Sequence, residues 1–390
     1  MDFCFTEEQL MIRDTAAAFL DEVAGRAALG RALASPDLYA DSWPRIVDDM
    51  GWQALVVPEA EGGLGLGMVE LALVLEQCGA RLLASPLFAT AGVVTPLIRS
   101  AACAAREHWL PGIAAGEVTW ALGLQAPGAP WGHGAPGLRY RRDGERFLLS
   151  GEVACVVDGA SAQRLLLVAA AGESAGGDGL RLFSVAGDAP GLERRRRYTL
   201  DQTRPLAALT LKEVAVEDTP AGVGEACDRE QLAAGLDLAT IALAAEALGA
   251  AQQSLDMAVA YTLERQQFGR PIAGFQAVKH KAADMMLRVE CARSALYYAA
   301  CTADSWYAGG ADAAALAEAA SIAKASCGDA AFANAGEALQ LHGGNGFTWE
   351  YDVHLYFKRA RAARALFGSS DWHRERIATR VLDGAGEPAA

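Results

Sequence analysis

The chain lacks the marks of a secreted, disulfide-framed or zinc-clustered protein. Its 390 residues include eight cysteines, none in a C-x-x-C pair and none with the spacing of a zinc site. Scattered thiols in a chain of this size indicate reduced, mostly buried cysteines and a cytoplasmic location. The N-terminus carries acidic residues early and has neither the basic start nor the apolar core of a signal peptide.

Basic residues are in deficit as well. Lysine and arginine total 34 against 48 acidic residues, which gives a net charge of −14. This balance argues against nucleic acid or an anionic membrane as the main partner, while leaving room for a local basic pocket that binds an anionic ligand. The sequence also has no uninterrupted apolar run of about 20 residues, so it predicts no membrane span.

The composition that is present, 52% apolar and 21% charged, is typical of a soluble globular protein with a large core. Residues 1–120 form a first zone that is mainly helical. Helical spacing of apolar residues predicts helices at 7–23, 44–56 and 68–83, and a glycine-rich loop lies at 57–67.

Two further zones complete the chain. Residues 121–229 begin with a stretch at 126–137 that is too rich in Pro and Gly for regular structure, and then alternate in short segments typical of antiparallel strands. In residues 230–390 long Ala-rich segments predict these helices: 230–265, 275–305, 310–340 and 351–366. The expected fold is therefore α+β, with a helical N-terminal domain, a small antiparallel β domain and a C-terminal four-helix bundle.

The first segment with chemical potential is R-x-x-F-G-x-P-I-x-x-F-Q, which contains Arg265, Phe268 and Gln276. It places a guanidinium, an aromatic ring and an amide at a junction between two helices. Arginine binds phosphate in a bidentate manner, and an aromatic ring stacks on planar groups. An ordinary helical turn is the alternative interpretation of this segment taken alone.

The second segment is Q-L-H-G-G-N-G-F, which begins at Gln340 and includes Gly343 and Gly344. Paired glycines let a backbone approach a ligand closely, and their N–H groups can hold phosphate. Most glycine-rich loops are simple turns, so this segment alone is also ambiguous.

The two segments, about 65 residues apart, together resemble the acyl-CoA dehydrogenase family. The EGGLGLG loop at 61–67 and the TLDQTR stretch at 199–204 strengthen the resemblance, which extends from about Phe5 to Val381. It implies FAD bound at a subunit interface and oxidation of an acyl-CoA thioester to the trans-2-enoyl-CoA. For the adenine and pyrophosphate half of FAD it implies these residues: Arg265, Phe268, Gln276, Gln340, Gly343 and Gly344.

The chain departs from the family where the catalytic base is expected. In many members a glutamate follows the G-F of the glycine-rich loop by twenty residues, and here that position is Phe367. A smaller group carries the base on the first bundle helix after a D-L pair, and here that position is Ala239. Ser369 keeps the hydroxyl that follows the usual glutamate, and the resemblance places it near the flavin.

A further departure affects the segments that meet the flavin ring in the family. The T-E-P-x-x-G-S motif aligns with residues 125–131, where Gln125 replaces the threonine and Trp131 the serine. The later W-I-T segment aligns with residues 155–157, which read Cys-Val-Val. Hydrogen bonds from this chain to the flavin ring are therefore in doubt.

Since neither usual base position carries an acidic residue, Glu246 becomes the next candidate for the catalytic base. It is the one charge in the stretch ATIALAAEALGAAQQ, residues 239–253, and a buried carboxylate is costly. It follows Ala239 by seven residues and so lies about 20° from it around the helix. Divergent family members that form mixed tetramers resemble this chain here, which makes Glu246 the candidate replacement base. The alternatives are a structural role, with an arginine of the bundle such as Arg288 or Arg293 as the partner of its carboxylate, or a position facing solvent between subunits.

The histidines are interpreted as structural. His280 and His342 occupy family-like positions and are expected to form hydrogen bonds, while His354 and His373 are expected at the surface. The basic run at 194–197 is expected to be a solvated strand edge, with contact to the phosphates of CoA as the alternative.

The leading functional hypothesis is an FAD-dependent acyl-CoA dehydrogenase with Glu246 as base, which passes electrons to an electron-transfer flavoprotein and needs no metal. Small residues around Glu246 leave room for a bulky or branched acyl group, such as a steroid side chain, or allow close helix packing. The alternative is a non-catalytic partner subunit that completes the FAD site of a heteromeric acyl-CoA dehydrogenase. An oxygen-using flavoenzyme is a third possibility. A homo- or hetero-oligomer is expected in each case.

Overall fold

The computed structural model of the chain describes residues 4–34, 42–101, 105–129, 131, 136–172, 179–227 and 229–383. The helices are α1 Glu7–Val23, α2 Arg26–Ala34, α3 Trp43–Arg45, α4 Met68–Ala80, α5 Thr95–Ser100, α6 Arg106–Ala114, α7 Arg229–Glu264, α8 Gln276–Tyr307, α9 Ala313–His342, α10 Val353–Ala365 and α11 Ser370–Asp383. The strands are β1 Trp120–Gly123, β2 Leu138–Asp143, β3 Arg146–Val157, β4 Arg164–Ala171, β5 Leu180–Ala186, β6 Leu192–Arg197, β7 Leu206–Glu217, β8 Val223–Cys227, β9 Gln266–Gln267 and β10 Arg270–Pro271.

These elements form two compact units, each assembled from separated stretches of sequence. The first unit, here the helical unit, comprises Met1–Ala34, Met68–Leu83 and Thr240–Ala390; the second, here the sheet unit, comprises Ser35–Gly67 and Ala84–Ala239. The α+β class is confirmed, because long helices and one large sheet are both present. The boundaries of three consecutive domains at 120 and 229 stay a prediction.

The long helices of the C-terminal zone are confirmed, with ends close to the predicted ones. Helix α9 begins after Asp312, whose carboxylate accepts a hydrogen bond from Ala315 N at 2.7 Å, and ends at His342, before Gly343 with its positive φ of 61°. Helix α7 is long and apolar enough to cross a bilayer, but 89% of its most apolar window is buried within the structure. Core helices of soluble proteins have the same character.

Residues 44–56 were expected to form one helix, and this prediction is wrong. Helix α3 continues only as a π-type turn, Ile46–Met50, and a separate 3-10 turn follows at Trp52–Ala54. Gly51 separates the two turns with φ of 63°, a left-handed conformation that terminates a helix. The apolar spacing was read correctly, but the glycine that interrupts it was not.

The sheet unit contains eight strands, in the order β6-β7-β3-β2-β4-β5-β8, with β1 also paired to β4. Most strand pairs of the sheet are antiparallel, as predicted for this domain. The sheet differs from the prediction at β4, to which β1 and β2 both run parallel. Parallel pairing needs long connections, and the chain provides them between these strands. The packed face includes Tyr140, Phe147 and Phe183, whose rings meet at centroid distances of 5.4–5.7 Å.

Candidate active site and cofactor cradle

Arg265 and Phe268 lie on a short hairpin directly after α7. Strands β9 and β10 pair around a turn in which Phe268 and Gly269 both have positive φ, 53° and 77°. Such a turn favours Gly or Asn, and phenylalanine there is uncommon. The turn holds the Phe268 ring in solvent, 91% exposed. The backbone of Arg265 is fixed by hydrogen bonds to Tyr261 O and from Ile272 N, both 2.8 Å, while its side chain is exposed.

Gly343 and Gly344 give the backbone after α9 an open face. Gly343 adopts φ of 61° and ψ of −137°, a conformation that a residue with a Cβ avoids. A Cβ built on either residue would meet nothing within 4 Å, so no neighbouring atom covers this side of the chain. Gly346 differs, since a Cβ there would lie 2.9 Å from Leu339 O. The first two glycines thus leave space outside, while the third allows internal packing.

Gln276 and Gln340 complete the set of predicted cofactor residues, and both are exposed. Gln276 is the first residue of α8, a helix that begins without a side-chain cap, and its amide lies 3.4 Å from His280 Nε2. The free N–H groups and dipole of a helix start favour an anion. We call Arg265, Phe268, Gln276, Gln340, Gly343 and Gly344 the cradle.

Four side chains outside the predicted cofactor set bring the two halves of the cradle together. The rings of Tyr261 on α7 and His342 on α9 stack with centroids 4.2 Å apart and planes inclined by 21°. Asn345 Nδ2 donates to Tyr261 Oη at 3.2 Å, and Tyr351 packs edge-on against Tyr261 at 5.8 Å. The sequence signal for this contact was present, since Tyr261 precedes Arg265 by one helical turn and His342 precedes Gly343.

The residue types of the cradle fit the adenosine diphosphate half of FAD. An exposed guanidinium can bind phosphate, and an exposed aromatic ring can stack on adenine. The Gly343 N–H donates to Gln340 O, so the contribution of Gly343 is an exposed backbone that a ligand can approach closely. Each group is accessible in the described structure, and the two segments that carry them are in contact through Tyr261 and His342.

The position of the usual base is occupied by a buried Phe367 that cannot accept a proton. Its φ is 56°, and its carbonyl oxygen lies 2.9 Å from His373 Nε2. Lys324 Nζ donates to Gly368 O at 2.9 Å, which anchors the same turn from beneath. Ser369 is exposed and its Oγ accepts from Trp372 N at 3.1 Å, so the hydroxyl caps α11; its predicted flavin contact stays a prediction.

Burial lowers the pKa of both Lys324 and His373, whose side chains contact this turn. Lys324 is 1% exposed, and desolvation lowers its pKa to about 8. Desolvation also lowers the pKa of His373 to about 4, despite its hydrogen bond to Phe367 O. The expectation that His354 and His373 lie at the surface is wrong, since they are 7% and 1% exposed. That expectation relied on the basic residues that surround these histidines in the sequence. Helices α10 and α11 instead orient both imidazole rings toward the interior.

Glu246 is buried on α7 and faces Arg359 of α10. Their closest charged atoms, Glu246 Oε2 and Arg359 Nη1, are 4.0 Å apart, and both side chains are about 5% exposed. Neither Arg288 nor Arg293, the partners considered from sequence, takes this place. Arg293 instead bonds Glu76, and Arg288 Nη1 bonds Asn334 Oδ1 at 3.4 Å.

Helices α4 and α7 meet at backbone distance next to Glu246. A Cβ on Gly79 would lie 2.0 Å from Glu246 O, and a Cβ on Gly249 would lie 1.8 Å from Glu76 O. The space at Gly249 is therefore filled by α4, which supports the packing interpretation of that small residue over an acyl pocket. Glu76 forms a second buried network, in which it accepts from Tyr297 Oη at 2.6 Å.

The segments aligned with the flavin-ring motifs lie in the sheet unit. Gln125 Nε2 donates to Ala129 O at 2.5 Å, so this amide bonds within its own loop. Pro130, also part of the aligned motif, and residues 132–135 of the Pro- and Gly-rich stretch lie outside the described residues. Cys155 has φ of 56° at a register shift in β3. The basic run is the edge strand β6, as predicted, and its arginine side chains are mostly exposed.

Comparison with known proteins agrees with this geometry. The model of the acyl-CoA dehydrogenase N-terminal domain matches residues 6–117, and that of the C-terminal domain matches residues 230–382. Acyl-CoA dehydrogenase IpdE2 of Mycobacterium tuberculosis is 32% identical over 364 residues, which cover 93% of this chain and 94% of that protein. IpdE2 of Mycolicibacterium smegmatis is 29% identical over 378 residues, covering 97% and 100%.

Among solved structures, the steroid ACAD Tcur3481–Tcur3483 matches with a TM-score of 0.82 and 28% identity, covering 98% of this chain and 99% of that one. The motifs, the fold and these matches lead to one conclusion. The chain belongs to the acyl-CoA dehydrogenase family of flavin-dependent oxidoreductases, whose cofactor is FAD.

Proposed function

We propose that this chain is the partner subunit of a heteromeric acyl-CoA dehydrogenase. In this assembly it supplies the adenine-side cradle for FAD, while a sister chain supplies the catalytic base. The reaction is the α,β-oxidation of a bulky acyl-CoA to the 2-enoyl-CoA, with an electron-transfer flavoprotein as the electron acceptor. The proposal thus favours the alternative hypothesis from the sequence over a self-contained enzyme.

The contrast between the cradle and the base positions carries the proposal. The cradle has the expected residue types and is exposed, as a site shared with another subunit requires. Both positions that hold the base in the family carry side chains without acid–base chemistry, Phe367 and Ala239. Glu246, the remaining candidate, is buried opposite Arg359. A base must reach the proton that it removes, within about 2.6–3.2 Å.

The chemistry divides accordingly. A carboxylate removes the proton from the α-carbon of the thioester, and the β-carbon loses a hydride, which leaves the 2-enoyl-CoA. Bound FAD supplies the hydride acceptor. This chain would contribute binding: Arg265 would hold the diphosphate, Phe268 would stack on adenine, and the exposed Gly343–Gly344 backbone would let the cofactor approach closely.

The substrate class rests on the similar proteins rather than on a cavity. The similar Tcur3481–Tcur3483 protein is described as a steroid ACAD. Small residues on α7 support a bulky acyl group less strongly, since Gly249 packs on α4. Scattered cysteines and the net charge of −14 favour a cytoplasmic protein that binds neither nucleic acid nor membrane.

Purification of the affinity-tagged chain from its native cell tests the proposal. We expect it to co-purify with a second acyl-CoA dehydrogenase chain in a fixed ratio, with FAD absorbance in the complex. The chain expressed alone should bind little FAD. A homo-oligomer of this chain with one FAD per subunit that is reduced by acyl-CoA would contradict the partner-subunit role.

One observation favours Glu246 as the base of a self-contained enzyme. It is a buried carboxylate on the helix that carries the base in some family members. Under this second candidate, Glu246→Gln would abolish flavin reduction without loss of FAD.

A further inference from the structure

We propose that Tyr261 and His342 are positioning residues for FAD. Their stacked rings set the distance between Arg265 and the Gly343–Gly344 backbone, which lie in the two segments of the cradle. This inference rests on the proposed function, because it assumes that the cradle holds FAD.

The location of the two rings carries the inference. Tyr261 lies one helical turn before Arg265, and its carbonyl oxygen accepts the hydrogen bond from Arg265 N at 2.8 Å. His342 is the last residue of α9 and directly precedes Gly343. The contact between these rings, whose centroids are 4.2 Å apart, therefore connects the helical turn before Arg265 to the residue directly before Gly343.

Each ring is also fixed on its own side. His342 Nδ1 lies 2.7 Å from Ala338 O, so Nδ1 is assigned as the protonated nitrogen that donates to this carbonyl. Burial lowers the pKa of His342, in keeping with a neutral ring. The Tyr261 hydroxyl accepts from Asn345 Nδ2 at 3.2 Å, which ties it to the loop beyond the glycines.

Tyr351 closes the cluster from the third side. Its ring meets Tyr261 at 5.8 Å and His342 at 5.6 Å, in edge-on arrangements that aromatic rings prefer. With three rings and two hydrogen bonds, the cluster leaves the ends of α7 and α9 little freedom to separate. A site whose groups are already held in the bound arrangement binds more tightly, because less ordering is needed when the ligand binds.

Titration of FAD into the flavin-stripped full assembly tests this role, with Tyr261→Ala, Tyr261→Phe and His342→Phe as variants. We expect Tyr261→Ala to raise the dissociation constant of FAD roughly 10-fold, because the variant loses the aromatic pair that holds the two binding segments in place. Tyr261→Phe retains the ring and should change it by no more than about 3-fold, and His342→Phe likewise. If Tyr261→Phe and His342→Phe keep FAD affinity near the wild-type value while Tyr261→Ala does not, the stacked rings themselves position the two segments.

Phe332→Ala is the matched control. Phe332 on α9 and Phe357 on α10 form another half-buried aromatic pair, with centroids 5.0 Å apart, outside the ring cluster. Loss of the Phe332 ring should leave the FAD dissociation constant unchanged. If Tyr261→Ala binds FAD like the wild type while Arg265→Ala does not, the positioning role is overturned and the proposed function stands. If Arg265→Ala also binds normally, the cradle assignment itself is wrong.

Discussion

The cradle and the Glu246–Arg359 pair belong to the same helical unit, but they differ in their exposure to water. Every cradle residue is exposed, and Phe268 even holds a left-handed conformation that keeps its ring in solvent. Glu246 and Arg359 are both buried, at a place where α4 and α7 touch through glycines. Exposed groups of specific type can serve a ligand, whereas removing one partner of a buried ion pair leaves an uncompensated charge and costs stability.

This comparison predicts that substitutions in the two regions have separate effects. Changes in the buried pair should alter the free energy of unfolding and leave FAD affinity unchanged. Changes in the cradle should alter FAD affinity and, apart from the turn at Phe268 with its positive φ, leave the stability of the apoprotein unchanged.

The largest effect is expected from Arg359→Met. It leaves the buried Glu246 carboxylate without the arginine charge, which should lower the free energy of unfolding by about 3–5 kcal/mol. Chemical denaturation of the apoprotein measures this loss. The double variant Glu246→Leu with Arg359→Met should recover most of it, because an apolar pair of similar size often replaces a buried ion pair without net cost. Failure of the second change to restore stability would contradict a mutual pairing.

The next effect concerns pH and the turn that carries Phe367. The folded protein holds the pKa of His373 at about 4, against an ordinary value of 6.5. Between these values the unfolded chain binds more protons, so stability should fall as the pH drops from 6.5 to 4. The contribution of this group is about 3 kcal/mol. Denaturation curves at several pH values should show a shallower acid loss for His373→Gln, and an identical slope would exclude His373 as the source.

Arg265→Ala tests the exposed side of the comparison. Loss of charge-assisted hydrogen bonds to a phosphate should raise the FAD dissociation constant by about 10- to 100-fold. Stability of the apoprotein should change by less than about 0.5 kcal/mol, since the side chain is exposed. Arg361→Ala on α10 removes an equally exposed charge and should affect neither property. Equal FAD binding by both variants would remove Arg265 from the cradle.

The smallest effect is expected from Phe268→Gly, and it should have opposite signs in the two measurements. Glycine adopts the positive φ without strain, so the apoprotein should gain up to about 1 kcal/mol. Loss of the stacking ring should weaken FAD binding by a few-fold, an effect of about 1 kcal/mol. A loss of stability together with unchanged FAD affinity would show that the ring packs within the protein and not on the cofactor.

Much of the fold followed from periodicity. The helices α7, α8 and α9 carry strong signals over about thirty residues each, and the ends of α9 are marked by Asp312 and Gly343. The turn at Gly51 was missed because one glycine outweighs an apolar pattern. The parallel partners of β4 were missed because strand pairing depends on distant segments, which alternation along one strand does not reveal.

The cradle was more predictable from sequence than the surroundings of Glu246. The cradle residues lie in two contiguous motifs that resemble those of the acyl-CoA dehydrogenase family, so the resemblance assigns them directly, and their role in binding FAD stays a prediction. The partner of Glu246 is Arg359, more than a hundred residues away, and pairing across a bundle follows from how α7 and α10 pack. The stack of Tyr261 on His342 is intermediate, since both rings lie within the motifs but their contact requires the fold.

The rate of flavin reduction by acyl-CoA in the native assembly, compared between Glu246→Gln and Glu76→Gln, tests the central claim most directly. Glu76 is the matched control because it is equally buried and also pairs with an arginine, Arg293. The account predicts that both variants, once loaded with FAD, reduce it within about 3-fold of the wild-type rate, less than the smallest effect expected for loss of a general base. A loss of about 100-fold or more for Glu246→Gln alone would instead make Glu246 the catalytic base.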